Sequence, residues 1–275
     1  MTWFTVDRHI FLLAVLLYGV STVYSVFLWR KGFRKDERVS YLLVLAGFIL
    51  HTTAMMRRGF DINHCPINNL YEATTFVSWT TVLVYLVIGV SARVRFLGAF
   101  VSPLLFALGV FALMPELDQH GPRPQFTGGW LSLHVALFAI AYAAFGLAAV
   151  ASIMFLTQVN ELKVHKLRAV FSLMPPVQRL DQAMGRLLMA GFVLMTIALG
   201  FTALWSEKIG NITPTDPKII WSWFVWFLYL WLVITRWKFP QSGRHLAWAN
   251  IAAFLFLLLT FWGASLLSPL HHAAS

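Results

Sequence analysis

A single cysteine, Cys65, stands in 275 residues, so no internal disulfide can form and no Cys-x-x-Cys redox pair exists. Charge is also scarce. Only 12% of residues are charged, against 59% apolar, and the mean hydropathy is +0.71. That balance excludes an ordinary soluble domain of this length and makes the chain an integral membrane protein. The short stretch before the first apolar run has no Ala-x-Ala cleavage pattern, so that run reads as a retained anchor rather than a removed leader. Clear internal repeats and broken spans are missing too, which removes support for a small-solute transporter.

What is present is a series of apolar runs separated by short polar connections. Spans are expected at about 9–29, 41–56, 73–90, 96–114, 130–157, 187–205, 219–235 and 248–267. The predicted class is therefore all-α: a polytopic helical bundle of about eight transmembrane helices, forming one membrane domain over 1–275 with no soluble domain.

Acidic residues are few, 11 against 21 lysines and arginines, for a formal net charge of +10. Such an excess could serve nucleic acid or only orient the protein, and the placement of the basic residues decides between these. With the connection bearing Arg30, Lys31, Arg34, Lys35 and Arg38 placed in the cytoplasm, the groups at Arg93 and Arg95, at Lys163 to Arg186, and at Arg236 to Arg244 fall on the same side. Arg8, Arg57, Arg58, Arg123, Lys208 and Lys218 fall outside. Topology accounts for the charge, with anionic lipid as its counterpart, and nucleic acid is not needed. The count puts both termini of this multi-pass chain on the outer side.

Six of the twelve tryptophans lie between Trp205 and Trp237. Trp221, Trp223 and Trp226 crowd one membrane edge of the seventh span. They suit either an aromatic belt at headgroup level or a stacking platform for a flat apolar ligand such as a porphyrin. In the fifth span, His134 sits one turn inside the outer edge of a helix rich in alanine and glycine. An ionisable group there is costly and marks a candidate functional site. His51 in the second span reads instead as hydrogen-bonded packing. In the outer connection after that span, Asn69 and Glu72 read as a helix N-cap and its N3 partner. His271 and His272 emerge from the last span on the side of His134, in a tail that would ordinarily fray.

The order of these features resembles the cytochrome c assembly family, polytopic proteins that present heme for attachment to apocytochrome c. Asp216-Pro217-Lys218, then Trp221, Trp226, Tyr229 and Thr235-Arg236, is similar to that family's tryptophan-rich signature. Arg58-Gly59, His64, Pro66, Asn68 or Asn69 and Leu70-Tyr71-Glu72 resemble its Gly-His-x-Pro-x-x-Asn-Leu-Tyr-Glu segment. Leu133-His134-Val135 followed by Tyr142 resembles its Leu-His-Val-Ser helix, and Leu270-His271 its Leu-His-Ser-Tyr ending. Leu180-Asp181 also occurs at the corresponding place.

The resemblance implies a b-type heme at the outer face with His134 and His271 as axial ligands, since two neutral imidazoles can hold iron from both sides. It further implies cover from Trp221 and Trp226, the Asp216-Pro217-Lys218 motif beside the ring, and propionate partners among the outer basic residues, Lys218 first and Arg58 among the rest. Heme, apocytochrome c and a second membrane subunit are the implied partners, and heme lyase the implied activity. Two departures stand out. Three loop tryptophans of the family are absent, and Ile234 occupies the place of a second, inner histidine, while His165 and His245 fall in cytoplasmic loops. One outer heme site with no internal relay is therefore expected. The competing expectation is a regulatory or assembly-factor membrane protein that keeps the family fold without heme.

Overall fold

The computed structural model describes residues 3–30, 38–62, 69–90, 95–118, 129–164, 176–209, 217–239 and 243–267. Among them no strand occurs, and the chain forms α1 (Trp3–Arg30), α2 (Arg38–Ile62), α3 (Leu70–Gly89), α4 (Gly98–Ala112), α5 (Gly129–Val164), α6 (Val177–Ile209), α7 (Pro217–Lys238) and α8 (Gly243–Leu267). Short 3-10 turns at Arg95–Leu97 and Pro115–Leu117 flank α4. All eight helices contain a stretch long and apolar enough to cross a membrane. In hydrocarbon every backbone polar group needs an internal partner, so runs of this composition have no alternative to the helix.

The ends differ from the expected spans most at α6, which begins ten residues before the span predicted at 187. The polar start of this helix is amphipathic. Leu180, Ala183, Met184, Leu187 and Leu188 are all buried, the spacing of one helical face, so side packing carries the helix beyond its apolar part. His245, expected in a loop, lies in the exposed first turn of α8, whereas His165 falls outside the described residues.

The helices fall into two compact units, one containing α1–α4 and the other α7 and α8 with the bodies of α5 and α6. In the first, α1, α2 and α4 approach through small residues. Gly47 faces the ring of Tyr18 and Gly109 faces Val15, where an added Cβ would lie 2.6 and 2.5 Å from its neighbour. A hydroxyl cluster joins these three helices, with Ser40 Oγ 2.8 Å from Ser21 Oγ and 3.1 Å from Ser25 Oγ, and Ser102 Oγ 3.5 Å from Ser25 Oγ. Tyr18 and fully buried His51 meet at 3.3 Å, as expected of packing rather than a ligand.

In the second unit neighbouring helices run antiparallel. Gly191 of α6 sits against Phe145 and the backbone oxygen of Ala141 in α5. Trp221 of α7 meets Thr260 of α8, Asn250 of α8 meets Ser152 of α5, and Arg236 of α7 meets Asp181 of α6. Phe145 and Tyr229 stack at 3.6 Å between ring centroids in its core. These pairings bring the start of α5, the end of α6, the start of α7 and the end of α8 to one end of the unit.

Candidate heme-binding site

His134 lies near the start of α5, half-buried, opposite Ala198 and Thr202 of α6. Its Nδ1 is 3.0 Å from Thr202 Oγ1 and 3.3 Å from the carbonyl oxygen of Ala198. The role of Nδ1 as donor follows from those two partners. A carbonyl oxygen can only accept, and Thr202 already donates its one hydroxyl hydrogen to the same carbonyl at 3.1 Å. Both oxygens therefore accept from Nδ1–H, and in the neutral form of the ring the lone pair then lies on Nε2. That is the tautomer in which histidine ligates a metal through Nε2 while Nδ1–H fixes the ring. Phe138, one turn on, sets its ring at 67° to the imidazole with centroids 4.8 Å apart, and Tyr142 follows Phe138 at 5.8 Å. Thr202 carried no signal in the sequence beyond being a hydroxyl one turn from Ala198 in an apolar helix.

Trp221 and Trp226 are five residues apart, about 140° around a helix, and do not share a face of α7. Trp221 donates its indole N–H to Thr260 Oγ1 at 2.7 Å, and Trp226 donates to Thr196 Oγ1 at 2.9 Å. One ring is thus held toward α8 and the other toward α6. Trp226 joins Trp223 at 5.8 Å and Phe192 at 5.6 Å in an aromatic group on the α6 side. Trp223 itself is exposed, as a residue of a membrane belt would be. Trp221 is on the helix end that carries His134, because α5 starts and α7 starts at the same end of the unit. Lys218 stands in the first turn of α7, after Pro217 at its first position. Asp216 and His271 lie outside the described residues. The last helix ends at Leu267, four positions before His271 and at that same end.

Arg58 belongs to the other unit and is 3% exposed. Its guanidinium donates from Nε to Glu72 Oε1 at 2.7 Å, from Nη1 to Asp7 Oδ2 at 3.1 Å, and from Nη2 to Asp118 Oδ1. Arg8 adds a bond to Asp118 Oδ2 at 3.1 Å, and the Tyr71 ring lies 4.7 Å from the Arg58 guanidinium carbon. The predicted N-cap is present: Glu72 N–H donates to Asn69 Oδ1 at 2.8 Å, while the Asn69 amide reaches Asp118 at 3.2 Å. Burial works against ionisation of Asp118, but the Arg58 and Arg8 bonds and charges outweigh it and hold the carboxyl below its ordinary range. The Arg58 motif is thus the centre of a buried ion network. A propionate could reach Arg58 only in competition with three carboxylates.

At the opposite end of the second unit, Arg236 grips Asp181 through both carboxylate oxygens, Nη1 to Oδ1 at 2.6 Å and Nη2 to Oδ2 at 2.5 Å. The pair ties α7 to the polar start of α6, joining two motifs that are 55 positions apart. Ile234, two residues before Arg236, lines an apolar cleft with Met189, Val233 and Trp237.

The residues described are compatible with heme. One imidazole donates from Nδ1, the arrangement that suits ligation through Nε2, and the Trp221 indole, anchored by its N–H group, stands at the same end of the unit. The group described as "Cytochrome C assembly protein" matches residues 67–272. "Cytochrome c biogenesis protein CcsA" of Synechococcus sp. (strain RCC307) is 28% identical over 257 residues, covering 84% of this chain and 83% of that protein. The protein of the same name from Prochlorococcus marinus (strain MIT 9303) is 27% identical over 269 residues, 87% of this chain and 85% of its own. That of Chlorella vulgaris is 27% identical over 287 residues, 90% and 91%. With the family pattern running through most of its length, this multi-pass chain belongs to the cytochrome c assembly family.

Proposed function

We propose that the protein acts in cytochrome c biogenesis as a heme-binding component that presents heme at the outer face of the bacterial inner membrane for attachment to apocytochrome c. The observation that carries this reading is the His134 imidazole, turned by Thr202 and Ala198 so that Nε2 bears the lone pair. His271 is the second axial ligand in this reading, and Trp221, at the same end of the unit as His134, covers the ring. Lys218, with Asp216 beside it in the Asp-Pro-Lys motif, answers a propionate in preference to Arg58, whose charge is already met. Heme supplies the vinyl groups that the apocytochrome thiols attack; the chain's part is to hold it in place. The relatives named for cytochrome c biogenesis support the pathway; a second membrane subunit is a further proposed partner.

Ile234 favours a second reading, because an aliphatic side chain in an apolar cleft occupies the place of the family's inner histidine. Under that reading the chain is a regulatory or assembly factor that keeps the fold and holds no heme. Absorption spectra of the protein purified from heme-replete cells separate the two. The heme reading expects a low-spin bis-histidine spectrum that His134→Ala weakens. A colourless, well-folded preparation supports the regulatory reading.

A further inference from the structure

The cleft between α6 and α7 has a volume of about 270 Å³ and is lined by Met189, Val233, Ile234 and Trp237. Its walls offer no hydrogen-bonding side chain except the Trp237 indole, and all but Val233 are well exposed, Trp237 at 85%. Water has no reason to order in a space lined this way, whereas an alkyl chain fits it.

The charges around its mouth set the polarity of the occupant. Arg186 stands one turn before Met189 on the same exposed face of α6, and Lys238 follows Trp237 at the end of α7. Both are exposed, and among the described residues no carboxylate pairs with either. The nearest acid in sequence, Asp181, is already gripped by Arg236. Arg244 stands exposed at the same end of the unit. An apolar slot that opens between uncompensated cations at a helix end has the layout of a phospholipid: acyl chain below, phosphate above, with the Trp237 indole at headgroup level.

We propose that this cleft is a binding site for one anionic phospholipid, with an acyl chain against Met189 and Ile234 and the headgroup phosphate between Arg186 and Lys238. The site is independent of heme, lies at the opposite end of the unit from His134, and gives Ile234 a role that a histidine could not fill.

The full chain is reconstituted in phosphatidylcholine bilayers containing phosphatidylglycerol, re-extracted, and its retained lipid read by native mass spectrometry. The wild type should retain phosphatidylglycerol in preference to phosphatidylcholine. Arg186→Gln and Lys238→Gln should each lower that preference about fivefold, the size of the attraction between one basic side chain and an anionic surface. Ile234→Trp, which fills the slot and leaves the charge unchanged, should remove the retained lipid. Arg57→Gln, an exposed arginine of the other unit, should change nothing. Equal retention of the two lipids, or a loss from Arg57→Gln as large as from Arg186→Gln, would overturn the proposal in favour of bulk solvation or diffuse charge. A dimer in the wild type that Ile234→Trp dissociates, with no lipid retained by either, would overturn it by assigning the cleft to a second copy.

Discussion

His134 gains its chemistry from a neighbour rather than from its own position. Thr202 gives its hydrogen to the Ala198 carbonyl and so must accept from Nδ1–H, which aims the lone pair of Nε2 away from α6. Thr202→Val keeps the shape and removes that acceptor, so heme affinity should fall about 10–100-fold, the usual cost of losing a partner behind a metal ligand. Heme transfer to apomyoglobin measures it, and an unchanged transfer rate would mean that Thr202 does not orient the ring. Arg58 predicts a different kind of failure. Arg58→Leu leaves Asp7, Glu72 and Asp118 buried without their shared cation, which should cost about 3–5 kcal/mol in the thermal unfolding of the detergent-solubilised protein. Asp118 adds a pH dependence of known sign. Its carboxyl is held below its ordinary value of 3.8, so the stability it contributes is complete above that value and is lost as pH falls through the lower folded one. Asp118→Asn should flatten the acid limb of the stability profile below about pH 4, while leaving a lower plateau at neutral pH. The sequence marked His134 because an ionisable group is rare in an apolar run, and Arg58 through its place in the family's motif. It could not name their partners. Asp7, Glu72 and Asp118 come from three separate segments, and periodicity assigns a residue to a face without saying what another element will bring to it.

Helices were the most legible feature, since length and hydropathy alone fix which segments can satisfy their backbones in lipid. Their ends were less so. Val177 to Arg186 looks like a loop by composition, yet it is helical because Leu180, Ala183, Met184, Leu187 and Leu188 bury one face and Asp181 is neutralised by Arg236. The tryptophan cluster shows the same limit. Three indoles close in sequence suggested one shelf, but the helical turn sends Trp221 to Thr260 and Trp226 to Thr196. Close approach of α5 and α6 is what lets Thr202 reach His134, and Gly191 permits it. A Cβ there would lie 2.6 Å from the Phe145 ring and 3.1 Å from the Ala141 backbone oxygen. Gly191→Leu should therefore push the helices apart and destabilise the unit by about 1–3 kcal/mol or more, the range for overpacking a tight interior. Heme retention should fall with it, even though Gly191 touches no ligand. Thermal unfolding alongside heme content checks both parts, and a variant of normal stability and heme content would deny the close approach its importance.

Across the whole molecule the charge pattern predicts both termini on the outer side, and the proposed outer heme site depends on that prediction. Single cysteines at Ser275 and at Ser172, in a Cys65→Ser background, should react with an impermeant thiol reagent from outside and not from outside, respectively. The opposite pattern would place His134 in the cytoplasmic leaflet and remove the heme-presenting role. Helix number and the family were legible from the chain alone, because hydropathy sets the first and motif order the second. The pairing of Asp181 with Arg236 and the apolar cleft beside Ile234 were not, because both arise only when α6 and α7 lie side by side.

The central claim, one outer heme site made by His134 and His271, is tested most directly by heme stoichiometry in the purified wild type and in the His134→Ala/His271→Ala double variant. The account predicts one heme per chain in the wild type, with a low-spin bis-histidine spectrum, and none in the double variant, with His272→Ala close to wild type. An undiminished heme content in the double variant, or a second equivalent that survives it, would contradict the account and place heme elsewhere in the bundle.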